Sequence, residues 1–126
     1  MFGIGRKKDP ELTAAVTALA DAGRVAFGGV GIAGATLPET EAYQRVAAVA
    51  AEHPDEVREQ LDRLLTTGSP AARVYAATLL EQLDPVAGRA AWTGLRSDPA
   101  EVDTAVGCVL DRTTVAEYAA RRLDDH

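Results

Sequence analysis

The sequence predicts an all-α fold of about seven short antiparallel helices, with a glycine-rich connection after the first helix. From Pro38 onward the prolines recur at intervals of 16, 16, 15 and 14 residues. Such a unit accommodates one three-turn helix and a short loop, and short loops make neighbouring helices antiparallel. Hydrophobic residues make up 47% of the 126 residues but aromatic residues only 5%. The core must therefore be built from alanine, valine and leucine, which suits closely packed helices.

Each of the six prolines can occupy the first turn of a helix, where its missing N–H costs no hydrogen bond. Four of them follow a good N-cap residue, namely Asp9, Ser69, Asp84 and Asp98. His53 is a weaker cap before Pro54. The segments 36–39 and 114–117 have the spacing of a capping box. These signals place helix starts along almost the whole chain.

Apolar residues recur at helical spacing after each of these starts. The helices predicted in this way span residues 10–23, 38–52, 54–66, 70–83, 85–96, 99–110 and 115–123. In the first helix, for example, Leu12, Ala15 and Leu19 share one face, and Gly23 is a natural stop. The stretch 69–83 is apolar almost all the way round, so we expect it to be sandwiched between other helices.

Two segments depart from the helical pattern. Residues 24–35 contain four glycines and no helical stripe, so we interpret them as an irregular or extended connection. Gly107 interrupts the predicted helix 99–110. Since β-branched residues are dense there, an extended conformation over 102–110 is the alternative.

The charge balance argues against a nucleic-acid partner. The net charge is −6, and Arg6, Lys7 and Lys8 precede the first acidic residue. Beyond them, ten basic residues stand against 19 acidic ones, a balance that repels nucleic acid. The acidity serves solubility. Alternatively it faces a basic partner, which would make the protein an acidic neutraliser of a basic toxin or enzyme.

The chain is predicted to be one cytoplasmic domain over 9–126 after a flexible basic tail over 1–8. Cys108 is the only cysteine, so an internal disulfide is impossible, which fits a reducing compartment. The longest uncharged run, residues 25–38, has 14 residues and is too short to span a bilayer as a helix. We therefore expect no membrane partner.

The glycines Gly29, Gly31 and Gly34 match the pattern G-x-G-x-x-G. In a dinucleotide-binding fold such glycines follow a strand and let a pyrophosphate approach a helix N-terminus. Here the helix restarts only at Pro38, and no later segment is predicted as the second strand of a βαβ unit. We favour a structural connection, with a nucleotide-binding protein or enzyme that uses this loop as the alternative.

No catalytic constellation is predicted. His53 lies in a turn, and His126 is the last residue of the sequence. Cys108 has no histidine near it in sequence and is expected to be a buried, inert thiol. No spacing suits zinc or an EF-hand. We therefore expect no enzyme, no metal and no cofactor.

Four residues are candidates for binding a partner. Arg89, Trp92 and Arg96 are spaced i, i+3, i+7 and share one edge of their predicted helix. Tryptophan and arginine dominate binding hot spots. The alternative is that Trp92 packs at the core boundary beneath an arginine stem. Arg73 either pairs with Glu81 or a loop carbonyl, or lines a binding groove.

Three stretches resemble HEAT-type repeats, in which a short turn leads into a helix with an early arginine and a run of alanine and leucine. They are GSPAARVYAATLLEQL, HPDEVREQLDRLL and SDPAEVDTAVGCVL, although Asp103 and Gly107 depart from the pattern in the last. The resemblance covers about residues 38–110 and implies a short helical array. HEAT-like proteins mostly bind other macromolecules, so the resemblance implies a non-catalytic protein-interaction or scaffold module whose partner is another protein.

Overall fold

The computed structural model describes residues 10–26, 38–106 and 109–124. The described chain is mostly helical, with one small sheet, which confirms the broadly α-helical prediction. Its elements in chain order are α1 (Pro10–Ala20), β1 (Arg24–Val25), α2 (Pro38–Glu52), α3 (Pro54–Thr67), α4 (Pro70–Leu83), α5 (Pro85–Leu95), β2 (Glu101–Val106), β3 (Val109–Thr114) and α6 (Val115–Asp124). The expected seven helices are thus six within the described residues. The predicted tail over 1–8 lies outside them.

The predicted N-caps account for several of these helix starts. The Ser69 hydroxyl accepts the N–H of Ala72 at 3.2 Å. One Asp84 carboxylate oxygen accepts the N–H of Val86 at 3.0 Å and that of Ala87 at 3.4 Å. His53 makes no side-chain cap bond. Each confirmed cap satisfies N–H groups that the first helical turn leaves unpaired. The predicted caps Asp9 and Thr36 lie outside the described residues.

Helix α4 is the centre of the fold. It contacts every other helix of the described chain as well as β1 and β2. Nine of its residues are buried, and these are Ala71, Ala72, Val74, Tyr75, Ala76, Ala77, Thr78, Leu79 and Leu80. The prediction that this stretch is sandwiched is confirmed. Neighbours on several sides explain why it carries almost no polar face.

The predicted helix over 99–110 is wrong. Residues 101–106 form β2 and residues 109 and 110 begin β3, and the two strands pair antiparallel, with Val102 opposite Thr113. Strand β1 adds to the other edge of β2 in parallel, with Arg24 opposite Asp103. The β-branched residues therefore form a pleated sheet, and Asp98 caps no helix. One of its carboxylate oxygens instead accepts the N–H of Ala100 at 3.0 Å in the turn before β2.

The sheet is held against the helices at the end where β2 begins and β3 ends. The N–H groups of Val115 and Ala116, at the start of α6, donate to the carbonyls of Ala100 and Asp98 at 2.9 and 2.8 Å. The hydroxyl of Thr114 accepts the N–H of Glu117 at 3.1 Å, which confirms the capping role predicted for Thr114. Helix α6 therefore begins where the strand segment folds back onto the helical layer.

Candidate functional site

Helix α5 carries three of the four predicted binding residues and lies very close to α4. A Cβ atom built on Gly88 would lie 2.3 Å from the Cα of Glu81 in α4. Only glycine permits this approach of the two backbones. Trp92 and Leu95, on the same side of α5, are buried. The inner face of α5 is therefore fixed, and its opposite face must point to solvent.

Trp92 is a core residue. Its side chain is 0% exposed, and its indole N–H donates to the Glu81 carboxylate at 3.3 Å. The ring of Tyr118 stacks on it with centroids 5.7 Å apart. Arg122 places its guanidinium 5.4 Å from the ring centroid and donates to the same Glu81 oxygen at 2.6 Å. Burial raises the pKa of Tyr118, as expected for a phenol inside this cluster.

The prediction that Arg89, Trp92 and Arg96 form one exposed edge therefore fails at Trp92, which is buried. The alternative interpretation, that Trp92 packs in the core beneath an arginine, describes the structure. The arginine comes from α6, however, because Arg122 covers the ring while Arg89 and Arg96 point elsewhere and are exposed. Trp92 anchors α5 and α6 to α4, and it is not available to a partner in this arrangement.

The solvent side of α5, which we call the α5 outer face, consists of Val86, Arg89, Ala90, Thr93, Gly94 and Arg96, all exposed. Val86 is 79% exposed, the highest value among the large hydrophobic residues described. Neither Arg89 nor Arg96 pairs with an acidic side chain within the residues that the structure describes. Helix α5 contains no acidic residue. A local cationic surface with one apolar side chain thus lies on a protein of net charge −6.

Gly94 has no packing role that the described fold explains. A Cβ built on Gly94 would meet nothing within 4 Å, whereas one on Gly88 would collide with α4. Its backbone does not adopt the left-handed region, because no positive φ is found there. A glycine in a helix costs about 0.5–1 kcal/mol relative to alanine. The space above Gly94 therefore lies open on the α5 outer face.

Arg73 is a structural tie. Its Nε donates to the carbonyl of Gly68 at 3.1 Å, and its Nη1 lies 2.6 Å from Oδ2 of Asp98. The expected bond to a loop carbonyl is confirmed, but the acidic partner is Asp98 where Glu81 was expected. Arg73 joins the turn before α4 to the turn before β2. Its guanidinium is engaged at both ends and does not line an open groove.

The exposed face of the sheet carries charges that compensate one another. Arg112 donates to Asp103 across the β2–β3 pair at 2.7 Å and approaches Glu101 at 3.5 Å. The bond from Arg112 lowers the pKa of Asp103 and raises that of Arg112. A cavity of about 540 Å³ adjoins these residues and Arg24. The described residues that line it include no histidine and no thiol.

The segment that leads into the glycine motif is held by two buried side chains. The hydroxyl of Tyr75 accepts the N–H of Ala26 at 2.7 Å and donates to the carbonyl of Ala26 at 2.8 Å. Thr40 donates to that same carbonyl at 2.6 Å. Burial raises the pKa of Tyr75 to about 12. The motif itself, residues 29–34, lies outside the described residues.

The parallel pairing of β1 with β2 was missed by the sequence analysis, which predicted no second strand for a βαβ unit. Helix α2 does begin at Pro38, as predicted. A two-residue strand has almost no sequence signal, and β2 was assigned to a helix. The missed pair places a parallel strand next to the strand that precedes the glycines.

The remaining candidates for chemistry are dispersed. His53 is exposed in the turn between α2 and α3, and Cys108 and His126 lie outside the described residues. Among residues 10–26, 38–106 and 109–124, no group of three or more histidine, cysteine or acidic side chains is placed to hold a metal ion. No helix in these ranges is long and apolar enough to cross a membrane.

Val86 and Gly94 are the two residues of the α5 outer face whose importance the sequence analysis missed. Val86 lies away from the Ala87, Ala91 and Leu95 side of the predicted helix, and this was the available signal. Gly94 lies only about 20° from Ala87 around the helix axis, so helical spacing gave no signal for it. Comparison of the chain with protein-family models, with curated proteins and with solved structures finds no match.

Proposed function

We propose that the protein is a non-catalytic, cytoplasmic protein-interaction module that binds its partner through the α5 outer face. The observation that carries the proposal is the exposed set Val86, Arg89 and Arg96 on one side of a firmly held helix. Arginine is enriched at binding hot spots. An exposed apolar residue beside two uncompensated cations has little value to an isolated acidic protein, but it gives a partner both apolar and ionic contacts.

The rigidity of α5 supports this proposal. Gly88 brings the helix against the backbone of α4, and Trp92 locks it through Glu81 and α6. A surface held in one conformation loses little entropy when it binds. The outer face runs from Val86 to Arg96, a length of about 15 Å at 1.5 Å per residue. At a helix width of about 10 Å it covers about 150 Å², which is smaller than a standard interface of about 800 Å² per partner, so we expect transient binding.

The order of helix contacts fits the same class of function. Successive helices from α1 to α5 contact one another in chain order, as the members of a stacked helical array do. The HEAT-like resemblance over residues 38–110 favours binding of a macromolecule. It rests on the residue pattern alone, and the β2–β3 hairpin replaces its last predicted helix.

The test is comparative affinity capture with a matched charge control. The double variant Arg89→Glu/Arg96→Glu removes the cations of the α5 outer face. The control, Arg45→Glu/Arg63→Glu, makes the same change of charge at exposed positions on α2 and α3. We expect the first variant to lose partners that wild type and control both retain, with unchanged circular dichroism. Equal recovery of partners by both variants would refute the proposal.

A nucleotide-binding function is the second candidate, and one observation favours it. The glycines of residues 29–34 follow a strand that has a parallel neighbour, because β1 pairs with β2. Calorimetric titration with NAD, FAD and ATP tests this candidate. The absence of binding heat for all three would remove it.

A further inference from the structure

We infer that the occupant of the α5 outer face is an acidic amphipathic helix of another protein. This inference rests on the proposed function, because it names the partner of the same surface. It is carried by the charges of Arg89 and Arg96, and by the small residues that lie between and beside them.

The spacing of the two cations suits a helical partner. Arg89 and Arg96 are seven residues apart, so they lie on the same side of α5 about 10.5 Å from each other. Two carboxylates seven residues apart on another helix have the same separation. Each arginine can then donate to one carboxylate in a charge-assisted hydrogen bond. Neither arginine has an acidic partner within the described chain, so no ion pair among the described residues must break first.

The shape of the surface also suits a helix. Val86, Ala90 and Gly94 are four residues apart and form one ridge that becomes smaller towards Gly94. Such i±4 ridges fit into the grooves of a second helix, with axes 8–10 Å apart as is typical of helix pairs. Small residues allow the closer end of this range. The open space above Gly94, which no described residue fills, is where the partner backbone approaches, while Val86 supplies the apolar contact.

Other occupants fit this surface less well. A second copy that paired α5 with α5 would bring four arginines together, and no residue within α5 supplies a carboxylate to them. Nucleic acid presents many phosphates and would extend beyond the two cations onto a protein of net charge −6. A few carboxylates on a short helix match two cations without that penalty.

The inference is tested with synthetic peptides and the full chain. The probe is a fluorescently labelled, capped, alanine- and leucine-striped helical peptide with two glutamates seven residues apart. The first comparison peptide has glutamine in place of both glutamates, and the second has a central proline that breaks the helix. Fluorescence anisotropy gives the dissociation constants. We expect both comparison peptides to bind about tenfold more weakly or worse, equivalent to about 1.4 kcal/mol.

Protein variants locate the site. Gly94→Leu fills the open space, and we expect it to weaken binding of the acidic helix about tenfold. Ala48→Leu makes a similar enlargement at an exposed position on α2 and should leave binding unchanged. Arg89→Glu/Arg96→Glu should abolish binding, whereas Arg45→Glu/Arg63→Glu should not. Retained binding by Gly94→Leu would overturn the inference of close helix packing.

The remaining outcomes separate this inference from the proposed function. Equal binding of the helical and proline peptides would overturn the helical partner. Absence of peptide binding, together with loss of native partners in Arg89→Glu/Arg96→Glu, would also overturn it and leave the proposed function standing. Self-association in sedimentation velocity that the same variant removes would identify a second copy as the occupant. Binding of single-stranded DNA as tight as that of the acidic helix would replace the protein partner.

Discussion

Adding one methyl group to each of the two glycines of α5 should change stability in opposite directions. In Gly88→Ala the new Cβ would lie 2.3 Å from Cα and 2.5 Å from Cβ of Glu81, where ordinary contacts begin at 3.4 Å. The two helices must therefore separate by about 1 Å. Overpacking of this kind costs about 3 kcal/mol at the upper end of its usual range. The removal of a helical glycine returns up to about 1 kcal/mol, so we expect a net loss of about 2 kcal/mol.

Gly94→Ala is the matched control, because it makes the same chemical change in the same helix where a Cβ meets nothing within 4 Å. We expect this variant to gain about 0.5–1 kcal/mol. Urea denaturation followed by circular dichroism measures the free energy of unfolding of each variant and of wild type. If Gly88→Ala were as stable as Gly94→Ala, the close approach of α5 to α4 would be refuted. The basis for an outward-facing, rigid α5 would be refuted with it.

Three further substitutions test other contacts. Tyr75→Phe leaves the buried N–H of Ala26 without its acceptor and should cost about 1–3 kcal/mol. Because the pKa of Tyr75 is raised from 10.0 to about 12 in the folded state, wild type should lose stability as the pH rises from 10 to 12, and the variant should lose less. Asp98→Ala leaves the guanidinium of Arg73 without its carboxylate partner and should lower the free energy of unfolding by about 2 kcal/mol. Asp111→Ala uncovers an N–H on the outer edge of β3 and should promote aggregation.

For each of these substitutions, one experimental result would contradict the prediction. Equal dependence of Tyr75→Phe and wild type on alkaline pH, in urea melts, would show that the phenol does not titrate as described. If Asp98→Ala lowers the free energy of unfolding by less than about 0.5 kcal/mol, the Arg73–Asp98 pair contributes no more than an ordinary surface ion pair. For Asp111→Ala, light scattering is compared with Asp62→Ala, which removes one charge from the exposed side of α3. Equal scattering would mean that charge alone is responsible.

Most helices were predictable because their starts depend on neighbouring residues. Ser69 and Asp84 each cap the helix that begins one residue later, and the proline that follows is well suited to the first helical turn. The segment after Asp98 has the same start signal and still forms a strand. Six residue pairs join this strand to β3, which follows it closely in the chain, and two join it to β1, which lies far away. The strand pairing, which suits the β-branched residues of this segment, prevailed over the helix start signal.

The candidate site was predictable only in part, for a related reason. Helical spacing correctly indicated that Arg89 and Arg96 lie on the same side of α5, and both are exposed. The same spacing placed Trp92 beside them. Its burial depends on Glu81 from α4 and on Tyr118 and Arg122 from α6, which no pattern within 85–96 contains. Exposure is a property of neighbours, so a single helix cannot determine it.

By itself, the sequence determined the caps, the spacing of the helices and the apolar character of the central helix α4. These follow from hydrogen bonds and propensities within a few residues. The tertiary structure decided between the helix and the extended alternative by pairing residues 101–106 with residues 109–114. It alone decided that Arg73 ties two turns together and that α5 turns Val86 and Gly94 outward. Each of these depends on contacts between separate elements, whose free energy exists only after the chain has brought them together.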